Sequence, residues 1–253
     1  MIEINKIYNE NNLDTMSKIP NRFVDGIITS PPYNIATKRN DVYYNNGYSD
    51  IDNLSNDDYI KQRIAEFQEF ERILTDDGVI CYNLSYHNEC PILPILLLNE
   101  LHNQTDLTVA DMITWKKKTS IPFQTSPTKL SRICETIYVI VRKDRLHDFK
   151  TNKKISKVNT KTGQKFYKSY INYVEARNND GVKSKLKAAY STELVLKLID
   201  IYFPAGSLIF DPFMGIGTTA KGCLEAKRDF IGSEINEEFY KTAIERTTYS
   251  MSV

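Results

Sequence analysis

Two short stretches carry residue types whose order and spacing could support chemistry. In "IITSPPYNIA" a β-branched apolar run halts at Ser30, Pro31, Pro32 and Tyr33. The prolines supply no backbone donors and fix φ, so they stiffen the chain where a strand would end. A strand followed by a rigid turn accounts for those ten residues equally well. In "FDPFMGIGTTAKGCLEA" a buried strand ends in Asp211, turns through Pro212, Phe213, Met214, Gly215, Ile216 and Gly217, and opens a helix at Thr218 and Thr219. Two glycines allow a backbone to approach a ligand closely, and a helix N-terminus favours carboxylate or phosphate. The next strand, "FIGSEI", ends in Glu234, at the separation of about 20 residues that suits a ribose-binding carboxylate in a nucleoside-binding βαβ unit. The turn reads G-x-G-T-T and not G-x-G-x-x-G, which disfavours a pyrophosphate cofactor.

Charge points to a third feature. The 253 residues carry a net charge of +1, yet Lys150 to Lys187 holds ten lysines and one arginine against Glu175 and Asp180, a local balance of +9. The rest of the chain therefore sums to −8. Such a block suits a surface that meets phosphates, and it also suits a solvated loop. Lys116, Lys117 and Lys118 follow Trp115 and admit the same two readings. Cys81, Cys90, Cys134 and Cys223 are scattered without a C-x-x-C pair, and His87, His102 and His147 lack ligand spacing, so no metal site or disulfide framework is expected. No apolar run approaches the ~18 residues of a membrane span, and "MIEINKIYNE" lacks a signal peptide's order. A cytoplasmic protein without a membrane partner is expected.

The elements that must position these residues alternate strand and helix, which predicts a largely parallel sheet covered on both faces. "INKIYN" and "VDGIITS" read as strands. "NDDYIKQRIAEFQEFERILTDDG" reads as a helix capped by Asn56 or Asp57 and ended by Gly78. "GVICYNLS", "DMITWKK" and "ICETIYVIVRK" read as strands, with a helix in "PILPILLLNELHN" and a Ser-, Thr- and Pro-rich loop in "KTSIPFQTSPTKLSR". "STELVLKLIDIYF" is predicted to be a helix capped by Ser191 or Thr192. Strand "SLIFDPF", helix "TTAKGCLEAKR", strand "DFIGSEI" and helix "NEEFYKTAIERT" close the chain.

Taken together, "TSPPYN" followed much later by "FDPFMGIGTT" resembles the amino-group DNA methyltransferases that use S-adenosyl-L-methionine, in the circularly permuted order called the β class. The similarity covers most of the chain, including "FERILTDDGVICYNLS", the later strand pair and "DFIGSEINEEFYKTA". It departs where the family often has Gly-Asp, here Glu10-Asn11, and where it often has His-Pro, here within "KLKAAYS". The resemblance implies a doubly wound, mostly parallel, seven-stranded Rossmann-like sheet. It divides the chain into a catalytic part (1–143), an inserted target-recognition region (144–187) and a cofactor-binding part (188–253).

The resemblance also implies roles. Asp211, Pro212, Phe213, Gly215, Gly217, Thr218 and Glu234 would hold S-adenosyl-L-methionine, with Asp211 orienting the methionine ammonium directly or through the turn. Ser30 Oγ and the Pro31 carbonyl would accept from an exocyclic amino group, Pro32 would keep the tip rigid, and Tyr33 would stack on the flipped base. Lys116, Lys117, Lys161, Lys165 and Lys168 would meet double-stranded DNA. Ser before Pro-Pro-Tyr favours cytosine N4, with adenine N6 the alternative. A homodimer and a cognate restriction endonuclease are expected possible partners. A DNA-binding protein without turnover and an RNA or protein methyltransferase on the same fold are the competing readings. The intact motif residues speak against the first and the motif order against the second.

Overall fold

The runs "VDGIIT" and "LIFD" are buried almost throughout, which only a sheet covered on both faces allows. The computed structural model describes residues 2–34, 54–86, 90–120, 122, 130–182 and 189–251. Within them the order is β1 (Lys6–Tyr8), α1 (Asn12–Lys18), β2 (Val24–Thr29), α2 (Asn56–Ile73), β3 (Leu74–Leu84), α3 (Leu93–Gln104), β4 (Leu107–Lys117) and β5 (Cys134–Arg142). It continues with β6 (Ile155–Val158), β7 (Lys165–Tyr167), β8 (Tyr173–Ala176), α4 (Thr192–Tyr202), β9 (Leu208–Asp211), α5 (Thr218–Glu225), β10 (Asp229–Ser233) and α6 (Glu237–Met251). His87, Lys183, Lys185, Lys187 and most of the loop at 121–129 lie outside the described residues.

The main sheet runs β1-β10-β9-β2-β3-β5-β4-β8. It has eight strands where seven are expected, because the basic region contributes β8, which pairs in parallel with β4. Only β5 runs antiparallel to its neighbours. Two cores cover the faces. Met16, Phe67, Phe70, Leu97 and Leu101 bring α1 to α3 onto one side. Leu194, Leu198, Cys223 and Ala243 bring α4 to α6 onto the other. The strand sequence reverses between β2 and β9, which are hydrogen-bonded neighbours (Ile27 opposite Phe210). Ligand sites in such sheets form beyond the carboxyl ends of the strands at this switch point.

Two expected boundaries move. Ser55 caps α2 by accepting from the Asp58 N–H at 3.1 Å, taking the place expected for Asn56 or Asp57. The helix ends at Ile73, and Leu74 already pairs with Val24. Asp76, Asp77 and Gly78 therefore sit in an irregularity of β3, where pairing resumes at Val79, instead of ending the helix. Sheet pairing overrides the local helix-stop signal. Ser191 caps α4 as expected.

Candidate active site

Asp211, at the tip of β9, is 1% exposed and ties the switch point together. One carboxylate oxygen accepts from Thr29 Oγ1 at 2.8 Å and the Phe213 N–H at 3.0 Å. The other accepts from Tyr190 OH at 3.0 Å and from Thr219 Oγ1. Burial pushes the Asp211 carboxyl up, and the three hydroxyls and the backbone N–H pull it back. Its acceptor places are directed into β2, α5, the turn and the segment before α4, so it shapes the site by holding the Pro212–Phe213 turn. Tyr190 lies in "KLKAAYS", where the sequence departs from the family's usual pair.

The glycine turn is built for two different reasons. Gly215 has φ +55 and donates its N–H to Glu234 Oε2 at 2.7 Å, while Glu234 Oε1 accepts from the Asn236 N–H at 2.7 Å. Gly217 has φ +81, and a Cβ there would lie 2.9 Å from Ala243 Cα of α6. Gly217 thus makes room for a helix. Arg246 of α6 supports the same turn by donating to the Ile216 carbonyl at 2.7 Å, and it pairs with Asp180 beyond β8. Glu234 is 3% exposed whereas the next residue, Ile235, is 48% exposed. A buried acid, an exposed apolar neighbour, the half-buried Phe213 and the start of α5 thus follow the carboxyl ends of the neighbouring strands β9 and β10, at the mouth of the switch point.

Beside that mouth the Ser-Pro-Pro-Tyr tip is tied to β3 and β5. Ser30 Oγ lies 2.8 Å from Tyr33 OH, which donates to Glu135 Oε2 at 3.2 Å. Asn83 Nδ2 donates to Tyr33 OH at 2.7 Å and to Glu135 Oε2 at 2.8 Å. Tyr59 OH donates to the Pro32 carbonyl at 2.8 Å, fixing the proline pair from α2. Burial and the Glu135 charge hold the Tyr33 phenol well above its usual range.

A profile of the N6/N4 methyltransferase family, described as DNA methylase, matches residues 24–245. The chain belongs to this family. Two curated relatives are similar over most of their length. The Type II methyltransferase M.BglII of Bacillus subtilis is 22% identical over 257 residues, covering 95% of this chain and 68% of that protein. M.MjaI of Methanocaldococcus jannaschii is 22% identical over 261 residues, covering 88% and 84%. Two solved structures share the fold. PvuII DNA methyltransferase (cytosine-N4-specific) superposes with a TM-score of 0.71 at 16% identity, covering 95% of this chain and 85% of that one. The M1.HpyAVI–SAM complex gives 0.65 at 21% identity, covering 95% and 98%.

The expected cationic residues of the methylase do not form one surface. Lys116 pairs with Glu175 of β8 at 2.6 Å, Lys117 with Glu135 of β5 and Lys118 with Glu193 of α4. All three belong to the catalytic end of the sheet, where β4 finishes. Lys168 and Lys154 instead grip Asp200 in the last turn of α4, at 2.6 and 2.7 Å. Because α4 runs back from Tyr190, beside Asp211, towards the start of β9, that turn lies away from the tip. Lys165 is on the β6–β7 ribbon and Lys161 in the turn joining its strands, where its N–H binds Asn159 Oδ1. Asn83, Glu135 and Tyr190 are polar groups of the site without a motif of their own. The signal for the first two was the one amide in the largely apolar strand "GVICYNLS" and the one charged residue in "ICETIYVIV".

Among the described residues no group of histidine, cysteine, aspartate and glutamate is arranged to hold a metal, and no helix is long and apolar enough to cross a membrane.

Proposed function

We propose that this DNA methylase transfers a methyl group from S-adenosyl-L-methionine to the N4 amino group of a cytosine flipped out of double-stranded DNA. The observation that carries the reading is the 2.8 Å bond from Thr29 Oγ1 to Asp211 Oδ1, which sets the Ser30 tip beside the glycine turn. The mouth described above fits the donor. Glu234 at the end of its strand is the acid placed for ribose hydroxyls, Ile235 and Phe213 offer apolar cover, and the Gly215 turn with the start of α5 suits the methionine carboxylate. The donor, when bound, supplies an electrophilic methyl group.

The chain's own residues then act on the acceptor. An exocyclic amine is a poor nucleophile because its lone pair is delocalised into the ring. Ser30 Oγ and the Pro31 carbonyl, each accepting one N–H, favour a pyramidal nitrogen whose lone pair points at the methyl. The prolines and Tyr59 keep those acceptors fixed before the base arrives, which is the preorganisation that lowers a barrier. Tyr33 presents its face to the base. An uncharged hydroxyl at position 30 supports cytosine N4. Lys161 and Lys165, but not Lys168 on Asp200, would reach DNA flanking the target, within a recognition region spanning 144–187 between the catalytic part (1–143) and the cofactor-binding part (188–253). The motif order supports the β class, a class compatible with a homodimer. Pairing with a restriction endonuclease is supported by the Type II relatives.

Incubation with methyl-labelled donor and separate pools of DNA, RNA and protein tests the reading. Label should appear in DNA, and label confined to RNA or protein would overturn it. Replacing Glu234 with Ala should weaken donor binding by calorimetry by ~1–3 kcal/mol, as for a lost charged hydrogen bond.

A further inference from the structure

We infer that Glu135 is the terminal proton acceptor of the transfer reaction, reached from the target amine through Ser30 and Tyr33. The inference rests on the function proposed above and adds a positioning residue from a different strand. Asn83 is 4% exposed, and its amide nitrogen lies 2.7 Å from Tyr33 OH, 2.8 Å from Glu135 Oε2 and 3.4 Å from Ser30 Oγ, so its two hydrogens serve the two nearer acceptors. The phenol oxygen therefore accepts from Asn83, and its own proton goes to the carboxylate. Its remaining acceptor capacity meets the Ser30 hydroxyl at 2.8 Å. This gives the chain one direction, Ser30 to Tyr33 to Glu135, and leaves the Ser30 oxygen to accept from the amine.

The step balances as follows. The amine lone pair forms the new N–C bond as the methyl carbon's bond to the donor sulfur breaks, its electron pair staying on sulfur, and the nitrogen becomes cationic. An N–H bond then breaks, its electron pair staying on nitrogen and its proton passing to Ser30 Oγ. Ser30 gives its own proton to the Tyr33 oxygen, and Tyr33 gives its proton to Glu135 Oε2. The product is a neutral methylated amine and a neutral carboxylic acid, which later releases its proton to water. Serine alone cannot keep such a proton. Asp211, the other carboxylate nearby, is turned into the core by four donors. A phenol held above its usual range passes a proton on only as it receives one.

The groups facing Glu135 among the described residues are Lys117 from β4, Tyr33 beyond β2 and the neutral Asn83 amide from β3. Lys117 takes Oε1 and leaves Oε2 to the chain. Lys117 thereby gains a role distinct from a DNA contact.

Single-turnover methyl transfer to DNA at neutral pH tests the relay. Glu135→Gln should be about 100-fold slower, the lower range for a lost general base. Donor KM and DNA Kd should stay within about threefold, since the group acts after binding. Glu135→Asp, which keeps a carboxylate, should recover part of that rate. Tyr33→Phe keeps the ring but breaks the chain, so it should be slowed as well with donor KM and DNA Kd unchanged, and it decides the matter if Glu135→Gln does not fold. A parental rate in Glu135→Gln or Tyr33→Phe, or a slow Glu135→Gln whose donor KM or DNA Kd rises in proportion, would overturn the relay. A parent protein that labels no DNA would overturn the underlying function and the relay with it, whereas a labelling parent with an unaffected Glu135→Gln overturns the relay alone.

Discussion

The switch point and the β6–β7 ribbon treat polar groups in opposite ways. Around Asp211 and Ser30, hydroxyls, an amide and carboxylates from β2, β3, β5, β9 and α5 are paired with one another in or at the edge of the core. On the ribbon every residue of both strands is exposed, and its flank is anchored by lysines on Asp200. Geometry is fixed before binding in the first region. The second offers charge and side chains that a partner can still arrange. Chemistry demands the first arrangement, and reading a variable surface such as DNA tolerates the second.

Substitutions can break this contrast, beginning with the largest effect. Asp211→Ala leaves three hydroxyls and a backbone N–H without their acceptor, so urea denaturation should show a loss of ~3–4 kcal/mol. Gly217→Ala combines a positive φ with a close approach to Ala243, and should cost about 2 kcal/mol in the same assay. Lys161→Ala with Lys165→Ala should leave urea stability within about 0.5 kcal/mol, as surface changes do, while flattening the slope of log Kd for DNA against log salt by about one per lysine that meets a phosphate. An unchanged slope would remove the ribbon from the DNA surface.

The smallest effect concerns acid. The Lys154 and Lys168 ammoniums hold the Asp200 carboxyl down at about 2. Burial pushes Glu193 up, but Lys118, the Arg177 N–H and Lys197 outweigh it and hold it at about 2. Both carboxyls are depressed in the folded state, so their stabilisation is present above the usual carboxylate range. It is lost as pH falls through that range to about 2. Each surface pair contributes no more than about 1 kcal/mol. Stability followed down this range should therefore decline shallowly on their account, and Asp200→Asn should remove part of the decline.

The same contrast explains what could be read from the chain. Ser30 to Tyr33 and Asp211 to Gly217 are contiguous, and their prolines and glycines announce backbone geometry directly. The alternating elements were also legible, because buried parallel strands are continuous apolar runs. Asn83 and Glu135 were not, since each is an isolated amide or carboxylate at the end of a largely apolar run, and the antiparallel pairing of β3 with β5 brings them together. Gly78 looked like a helix stop because the signal is local, whereas the pairing of Leu74 with Val24 is not. The three lysines after Trp115 read as a free cationic cluster because their acids lie on β8, β5 and α4. Gly217 was legible as a glycine that something approaches closely, but the approaching group, Ala243, is far along the chain.

The central claim is that the Ser30 tip methylates a cytosine amino group in DNA. Nucleoside mass spectrometry of DNA digested after incubation with the protein and methyl-labelled S-adenosyl-L-methionine tests it most directly. The account predicts labelled N4-methylcytosine in the parent reaction and its near absence with Ser30→Ala. Labelled N6-methyladenine, or no methylated base at all, would contradict it.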